Sequence, residues 1–193
     1  MNIANCVTLS RVPSLFIVVV LLYIDVRFAS TVSLFVFIFA SWTDWLDGYL
    51  ARRCDMVSNF GKFMDALMDK VFMVGLFVSI LALGMLPRWS LFFVLLVIGR
   101  EFLVTGLRLI ASANGIVIAA ERLGKIKTVI QIVSVGVMII WKALSRDWAS
   151  MVPRLVIDFF YYAGLILFLI AAILTLISGL FYITKYKDIF NMD

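Results

Sequence analysis

Residues 42–52 read Trp42-Thr43-Asp44-Trp45-Leu46-Asp47-Gly48-Tyr49-Leu50-Ala51-Arg52, and residues 61–70 read Gly61-Lys62-Phe63-Met64-Asp65-Ala66-Leu67-Met68-Asp69-Lys70. Both stretches belong to long apolar runs, Ser30–Leu50 and Phe60–Leu83, where four carboxylates have no obvious place. Asp44 and Asp47 are i, i+3 on a helix and share a face, which Gly48 and Ala51 continue. Gly61, Asp65 and Asp69 repeat at i+4 and form one stripe of their own. A short joint between the two runs makes them antiparallel neighbours with these stripes able to face each other. The small residues allow a backbone or a flat ligand to come close.

The rest of the composition explains why the four acids stand out. Of 193 residues, 64% are apolar and 15% charged, against roughly half and a quarter in a soluble domain. Mean hydropathy is +1.11. These values describe an all-α integral membrane protein. A crossing takes about 20 apolar residues, so six leave only about 70 for every loop and both ends, with no room for a soluble domain. The apolar runs are Val12–Ile24, Ser30–Leu50, Phe60–Leu83, Ser90–Ala113, Leu123–Leu144 and Ile157–Ile183. The first is short, and a separate interfacial helix over Asn2–Ser10 is expected ahead of it. No small-residue cleavage site follows the first run, which therefore reads as a retained span.

Charge orients the chain. The net charge of +5 is read through topology and anionic ligands, not nucleic acid, because the 17 Lys and Arg lie in short runs between spans. Twelve of them fall on the side of the termini and five on the other; omitting three inside spans leaves nine against five. Both termini are therefore expected in the cytoplasm. Cys6 and Cys54 are not in a metal-type spacing and read as unpaired thiols. Histidine is absent, which removes the commonest general base and the commonest zinc ligand.

Four carboxylates at membrane depth cost several kcal/mol each, roughly, unless something compensates them. Arg52, Lys62 and Lys70 could neutralise them pairwise. Divalent cations could do so instead, since hard cations prefer clustered carboxylate oxygens. Two acids on each of two adjacent helices suit a pair of ions about 3.5–4 Å apart, which can clamp an in-line displacement at phosphorus.

The pattern Asp44-x2-Asp47-Gly48-x2-Ala51-Arg52-x8-Gly61-x3-Asp65-x3-Asp69 resembles, at every position, the signature of the CDP-alcohol phosphatidyltransferase family. The six-span plan resembles that family too, so the likeness extends over nearly the whole chain as one domain, 1–193. The resemblance implies transfer of a phosphatidyl-type group from a CDP-linked donor to an alcohol, with release of CMP. It implies that Asp44, Asp47 and Asp65 hold Mg2+ (or Mn2+), two ions, with Asp69 partly a ligand and chiefly the general base. Gly48, Ala51, Arg52 and Gly61 would line the cytidine diphosphate pocket. The resemblance also implies a homodimer. A carboxylate base agrees with the lack of histidine, and Arg52 offers a planar fork to phosphate.

The acceptor is read from other residues. Gly99-Arg100-Glu101-Phe102-Leu103-Val104-Thr105-Gly106-Leu107-Arg108 lies in the fourth run, where Glu101, Thr105 and Arg108 share a stripe. Gly124-Lys125-Ile126-Lys127-Thr128 opens the fifth. Glu101 with an arginine could simply staple helices, and the lysines could be cytoplasmic anchors. Alternatively, Arg100, Arg108, Lys125 and Lys127 receive the phosphate of a phosphorylated acceptor. The combination resembles the branch of the family that uses CDP-diacylglycerol and glycerol 3-phosphate. So does Asn5-x2-Thr8-x2-Arg11, although Ala4 stands where the branch often has proline. The expected setting is a bacterial cytoplasmic membrane. Serine or inositol phosphate as acceptor is the rival inside the family. Outside it, a cation transporter would use the carboxylates as a transport site, but Arg52 beside them gives a permeating cation nothing.

Overall fold

The computed structural model describes residues 3–53, 59–113 and 122–185, with the side chains at 3–10, 44–53, 59–66, 69, 112, 113, 122 and 183 outside that description. Six α-helices account for almost all of it: α1 Ile3–Tyr23, α2 Ala29–Arg53, α3 Asn59–Ala82, α4 Ser90–Ala113, α5 Arg122–Arg146 and α6 Arg154–Lys185. The described residues contain no strand. Among the described residues three helices are long and apolar enough to cross a membrane, Ser90–Ala111, Leu123–Arg146 and Arg154–Tyr182. Shorter apolar helices cover Arg11–Tyr23, Ala29–Thr43 and Lys70–Ala82.

Two expectations are corrected. The short interfacial helix does not stand apart from the first span, because α1 runs unbroken from Ile3 to Tyr23 with Pro13 inside it. Pro13 removes one N–H from the ladder near this boundary, yet Ile3–Tyr23 remains one helix across it. Helix α2 extends beyond the second apolar run at both ends, whereas α3 matches the third to within one residue. Ala51 and Arg52 lie within α2, and five residues, 54–58, separate it from α3.

The helices form a closed ring of neighbours: α1 packs on α2, α2 on α5, α5 on α6, α6 on α4, α4 on α3, and α3 back on α1. The most extensive of these contacts joins α5 to α6. Inside the ring, α3 touches α5, and Phe37 of α2 stacks with Phe72 of α3, ring centroids 6.5 Å apart and 8° from parallel. Val18, Leu22, Leu76, Phe77, Ile80, Met85, Val135, Met138, Ile139 and Phe168 fill the main core. Its close approaches use glycine: a Cβ on Gly75 would meet Leu15 Cδ2 at 2.4 Å, and one on Gly136 would meet Phe37 at 3.2 Å. Outward-facing Phe16, Phe35, Phe39, Phe92, Leu155 and Phe159 give the ring an apolar exterior. Large exposed apolar surface of this kind marks contact with lipid or a partner.

One end of the ring is tied by polar contacts. Asp147, just beyond α5, accepts hydrogen bonds from the Thr31 backbone N–H and from Thr31 Oγ1, both at 2.7 Å. It thereby caps the first turn of α2, whose N–H groups have no partner within the helix. Trp148 Nε1 donates to Thr31 Oγ1 at 3.1 Å, and Arg146 pairs with Asp25.

A second, smaller apolar cluster of Val104, Leu107 and Tyr182 lies toward the other ends of α4 and α6. Between the two clusters, buried Glu101, Lys127, Gln131, Thr175 and Ser178 make a polar layer through the bundle.

Candidate active site

The polar layer is built on Glu101, whose side chain is 8% exposed. Lys70 Nζ of α3 lies 2.5 Å from Glu101 Oε2. Lys127 Nζ of α5 donates to Oε1, and Arg100 NH1 lies 3.4 Å from the same oxygen. Arg100 NH2 also donates to Ser178 Oγ of α6 at 2.9 Å. One carboxylate thus gathers cations from α3, α4 and α5, and through Arg100 reaches α6. Gln131, one turn after Lys127, donates to Thr175 Oγ1 at 3.2 Å. A small pocket opens beside this layer, lined by Lys70, Met73, Val74, Glu101, Thr128 and Gln131.

The four basic residues singled out for an acceptor phosphate separate into three settings. Arg100 and Lys127 meet at Glu101. Arg108 lies elsewhere on α4, where its Nε donates to Tyr182 Oη at 3.1 Å and its guanidinium sits 5.4 Å from the ring centroid. Lys125 is exposed, two residues and about 200° around α5 from buried Lys127. The Arg100–Glu101 pair expected as a staple is present, but Lys70 and Lys127 share it. Thr105 Oγ1 bonds back to the Glu101 carbonyl at 2.8 Å. Arg11 is buried.

Asp44, Asp47, Gly48, Ala51 and Arg52 lie in α2, and Gly61, Asp65 and Asp69 in α3; their side chains, like those of Asn5 and Thr8, are outside the described residues. So is Cys6, and Cys54 falls between the helices. Helical register still relates the acids. Asp44 comes seven residues after Phe37, and Asp65 seven residues before Phe72. Along antiparallel helices both steps cover about 10 Å toward the same end. Each returns to nearly the same face, because two turns take about seven residues. Asp44 and Asp65 thus each stand about two helical turns from the Phe37–Phe72 stack, in the direction of the joint between α2 and α3. Among the described residues no group of three or more His, Cys, Asp or Glu comes together. The four aspartates, as hard oxygen donors without sulfur or nitrogen, fit magnesium or manganese.

Residue-type reasoning missed Gln131, Thr175, Ser178 and Tyr182. Their signal is the i+4 step: Gln131 follows Lys127, and Tyr182 follows Ser178, on the inward stripes of α5 and α6. Lys70, weighed as a counter-ion to the aspartates, pairs with Glu101 of α4.

The arrangement brings cations from α3, α4 and α5 to one buried carboxylate within the bundle. A family model described as CDP-alcohol phosphatidyltransferase matches residues 1–183, and the chain belongs to that family of transferases. Among curated relatives, the CDP-diacylglycerol–glycerol-3-phosphate 3-phosphatidyltransferase of Bacillus subtilis (strain 168) is 35% identical, over 95% of this chain and 94% of its own. Proteins of the same name from Rickettsia typhi (strain ATCC VR-144 / Wilmington) and Salmonella choleraesuis (strain SC-B67) are 31% and 32% identical. They align over 98% and 96% of this chain and 99% and 95% of their own.

Proposed function

We propose that the protein transfers the phosphatidyl group of CDP-diacylglycerol to glycerol 3-phosphate, giving phosphatidylglycerol phosphate and CMP. The observation that carries this is the near full-length likeness to relatives bearing that activity in their names, together with the unbroken eight-residue signature on α2 and α3.

Asp44, Asp47, Asp65 and Asp69 hold divalent metal, magnesium or manganese and two ions by the number of acids. Bound metal supplies positive charge against the diphosphate as its bridging oxygen becomes the leaving oxygen. Gly48, Ala51 and Gly61 leave space for the cytidine diphosphate, and Arg52 directs its fork at a phosphate. Asp69 takes the proton of the acceptor's primary hydroxyl. The hydroxyl oxygen bonds to the phosphorus attached to diacylglycerol, the bond from that phosphorus to the CMP oxygen breaks, and CMP leaves. Arg100 and Lys127, with Lys70 beside them, receive the acceptor phosphate, a group of basic side chains that suits a phosphorylated acceptor better than serine. Arg108 and Lys125 stand nearer the entrance, and Asn5, Thr8 and Arg11 complete the N-terminal side.

Six spans with both termini in the cytoplasm of a bacterium, and a homodimer in its inner membrane, complete the reading. Supplying purified protein with labelled CDP-diacylglycerol and, in turn, glycerol 3-phosphate, serine and inositol phosphate tests it. CMP release and phosphatidylglycerol phosphate with the first acceptor alone are expected. Turnover with another acceptor moves the assignment within the family, and ion flux in proteoliposomes without CMP release removes it.

A further inference from the structure

The two arginines of α4 are held in different ways. Arg100 meets a carboxylate, Glu101. Arg108 meets a phenol: its Nε donates to Tyr182 Oη at 3.1 Å, and its guanidinium carbon lies 5.4 Å from the centroid of the Tyr182 ring. Tyr182 is 1% exposed and clusters with Val104 and Leu107 of α4. Leu107 adjoins Arg108 and Val104 lies one turn before it, so the ring is wedged against the part of α4 that carries the guanidinium. Packing thereby fixes the phenol oxygen. Arg108 itself is half-buried, and among the described residues no acidic side chain pairs with it.

A carboxylate would hold this guanidinium and offset its charge in the same contact. A phenol oxygen holds it and leaves the charge in place. The bond takes up Nε, so the fork that remains for a ligand is formed by the two terminal nitrogens, which suit two oxygens of a phosphate. Arg108 stands about 27 Å along α4 from Ser90. In a hydrocarbon core about 30 Å thick, that depth is close to the aqueous boundary, where a soluble phosphate can arrive.

We propose that Tyr182 is a positioning residue for the acceptor: it holds Arg108 with its terminal nitrogens presented to the phosphate of glycerol 3-phosphate. This rests on the reading of glycerol 3-phosphate as acceptor. A long side chain loses rotamer freedom when it is immobilised on a ligand. Tyr182 imposes that loss in the folded protein, so less of it remains to oppose binding. The rival is a plain cation–π tie between α4 and α6. Tyr182→Phe separates the two, because it keeps the ring, its packing and the cation–π contact and removes only the oxygen that orients the guanidinium.

The test varies each substrate separately with purified protein in detergent. In Tyr182→Phe the KM for glycerol 3-phosphate is expected to rise about three- to tenfold, the range for one hydrogen bond. Both kcat and the KM for CDP-diacylglycerol should stay within about twofold, as for a binding interaction confined to the acceptor. Arg108→Lys keeps the charge but lacks the Nε–H, and its KM for glycerol 3-phosphate should rise at least as far. In an Arg108→Gln background, adding Tyr182→Phe should change that KM less than about twofold, because the two residues act as one unit. A wild-type KM for glycerol 3-phosphate in Tyr182→Phe or in Arg108→Lys overturns the proposal. So does a rise in both KM values, or an effect of Tyr182→Phe that persists in full without Arg108. If Tyr182→Phe does not fold, Arg108→Lys decides: a rise confined to the acceptor supports the proposal, and any other result overturns it. Wild type that releases no CMP with glycerol 3-phosphate overturns the acceptor reading and this one together. Wild-type turnover with that acceptor and an unaltered KM in Tyr182→Phe overturns only the role of Tyr182.

Discussion

Gly179 of α6 lies directly against the stem of Arg100: a Cβ there would come within 2.7 Å of Arg100 Cγ and 3.3 Å of its Nε. Arg100 crosses from α4 to Ser178 through this gap. Gly179→Ala should push the guanidinium off Ser178 and Glu101, and overpacking of this kind costs about 1–3 kcal/mol. A lower thermal midpoint together with a raised KM for glycerol 3-phosphate is the expected outcome. An unaltered midpoint and KM would show that the stem moves aside freely.

Asp69→Asn removes the proposed proton acceptor and leaves a side chain of the same shape. Loss of a general base typically lowers turnover by about 10²–10⁴. Calorimetric titration should find CDP-diacylglycerol still bound in the presence of magnesium. Turnover like that of wild type would sink the assignment of the base.

Asp44→Asn and Asp65→Asn act on the metal itself. Their activity should require more magnesium for half-saturation, read from a titration at fixed substrate. Curves that overlay the wild-type one would return the aspartates to pairing with Arg52 and Lys62.

Asp147→Ala addresses the far end of the bundle. It leaves the Thr31 N–H and hydroxyl without their acceptor. Loss of a helix cap costs about 0.5–2 kcal/mol. Thermal unfolding should shift downward while both KM values stay as in wild type, since the contact is remote from the polar layer. A change in acceptor KM would instead couple the two ends of the ring.

Much of this was legible from residue types. Apolar runs located the six helices of the described residues because a helix in an apolar setting must be continuous to satisfy its backbone. Two things were not. The continuity of α1 was not signalled, because Pro13 stands near the expected boundary and the helix still runs through it. The basic residues of α4 and α5 looked like one group because sequence spacing records the face of a helix and not its partner. Lys125 and Lys127 differ in setting only because α5 turns about 200° between them. Lys70 turned to Glu101, 31 residues away, by a tertiary contact that no local pattern encodes.

The layer around Glu101 also constrains how the chain enters the bilayer during synthesis. A single Arg, Lys or Asp at the centre of a lone helix raises the cost of insertion by about 2.5–3.5 kcal/mol. Helix α4 emerges with Arg100 and Glu101 after Lys70 of α3, and Lys127 arrives a helix later. The third and fourth helices are therefore expected to leave the translocation machinery as a pair, so that Lys70 and Glu101 enter the bilayer together. Biogenesis of this small protein is cooperative in the order of its helices, and truncation after α4 should leave an intermediate that the membrane holds poorly.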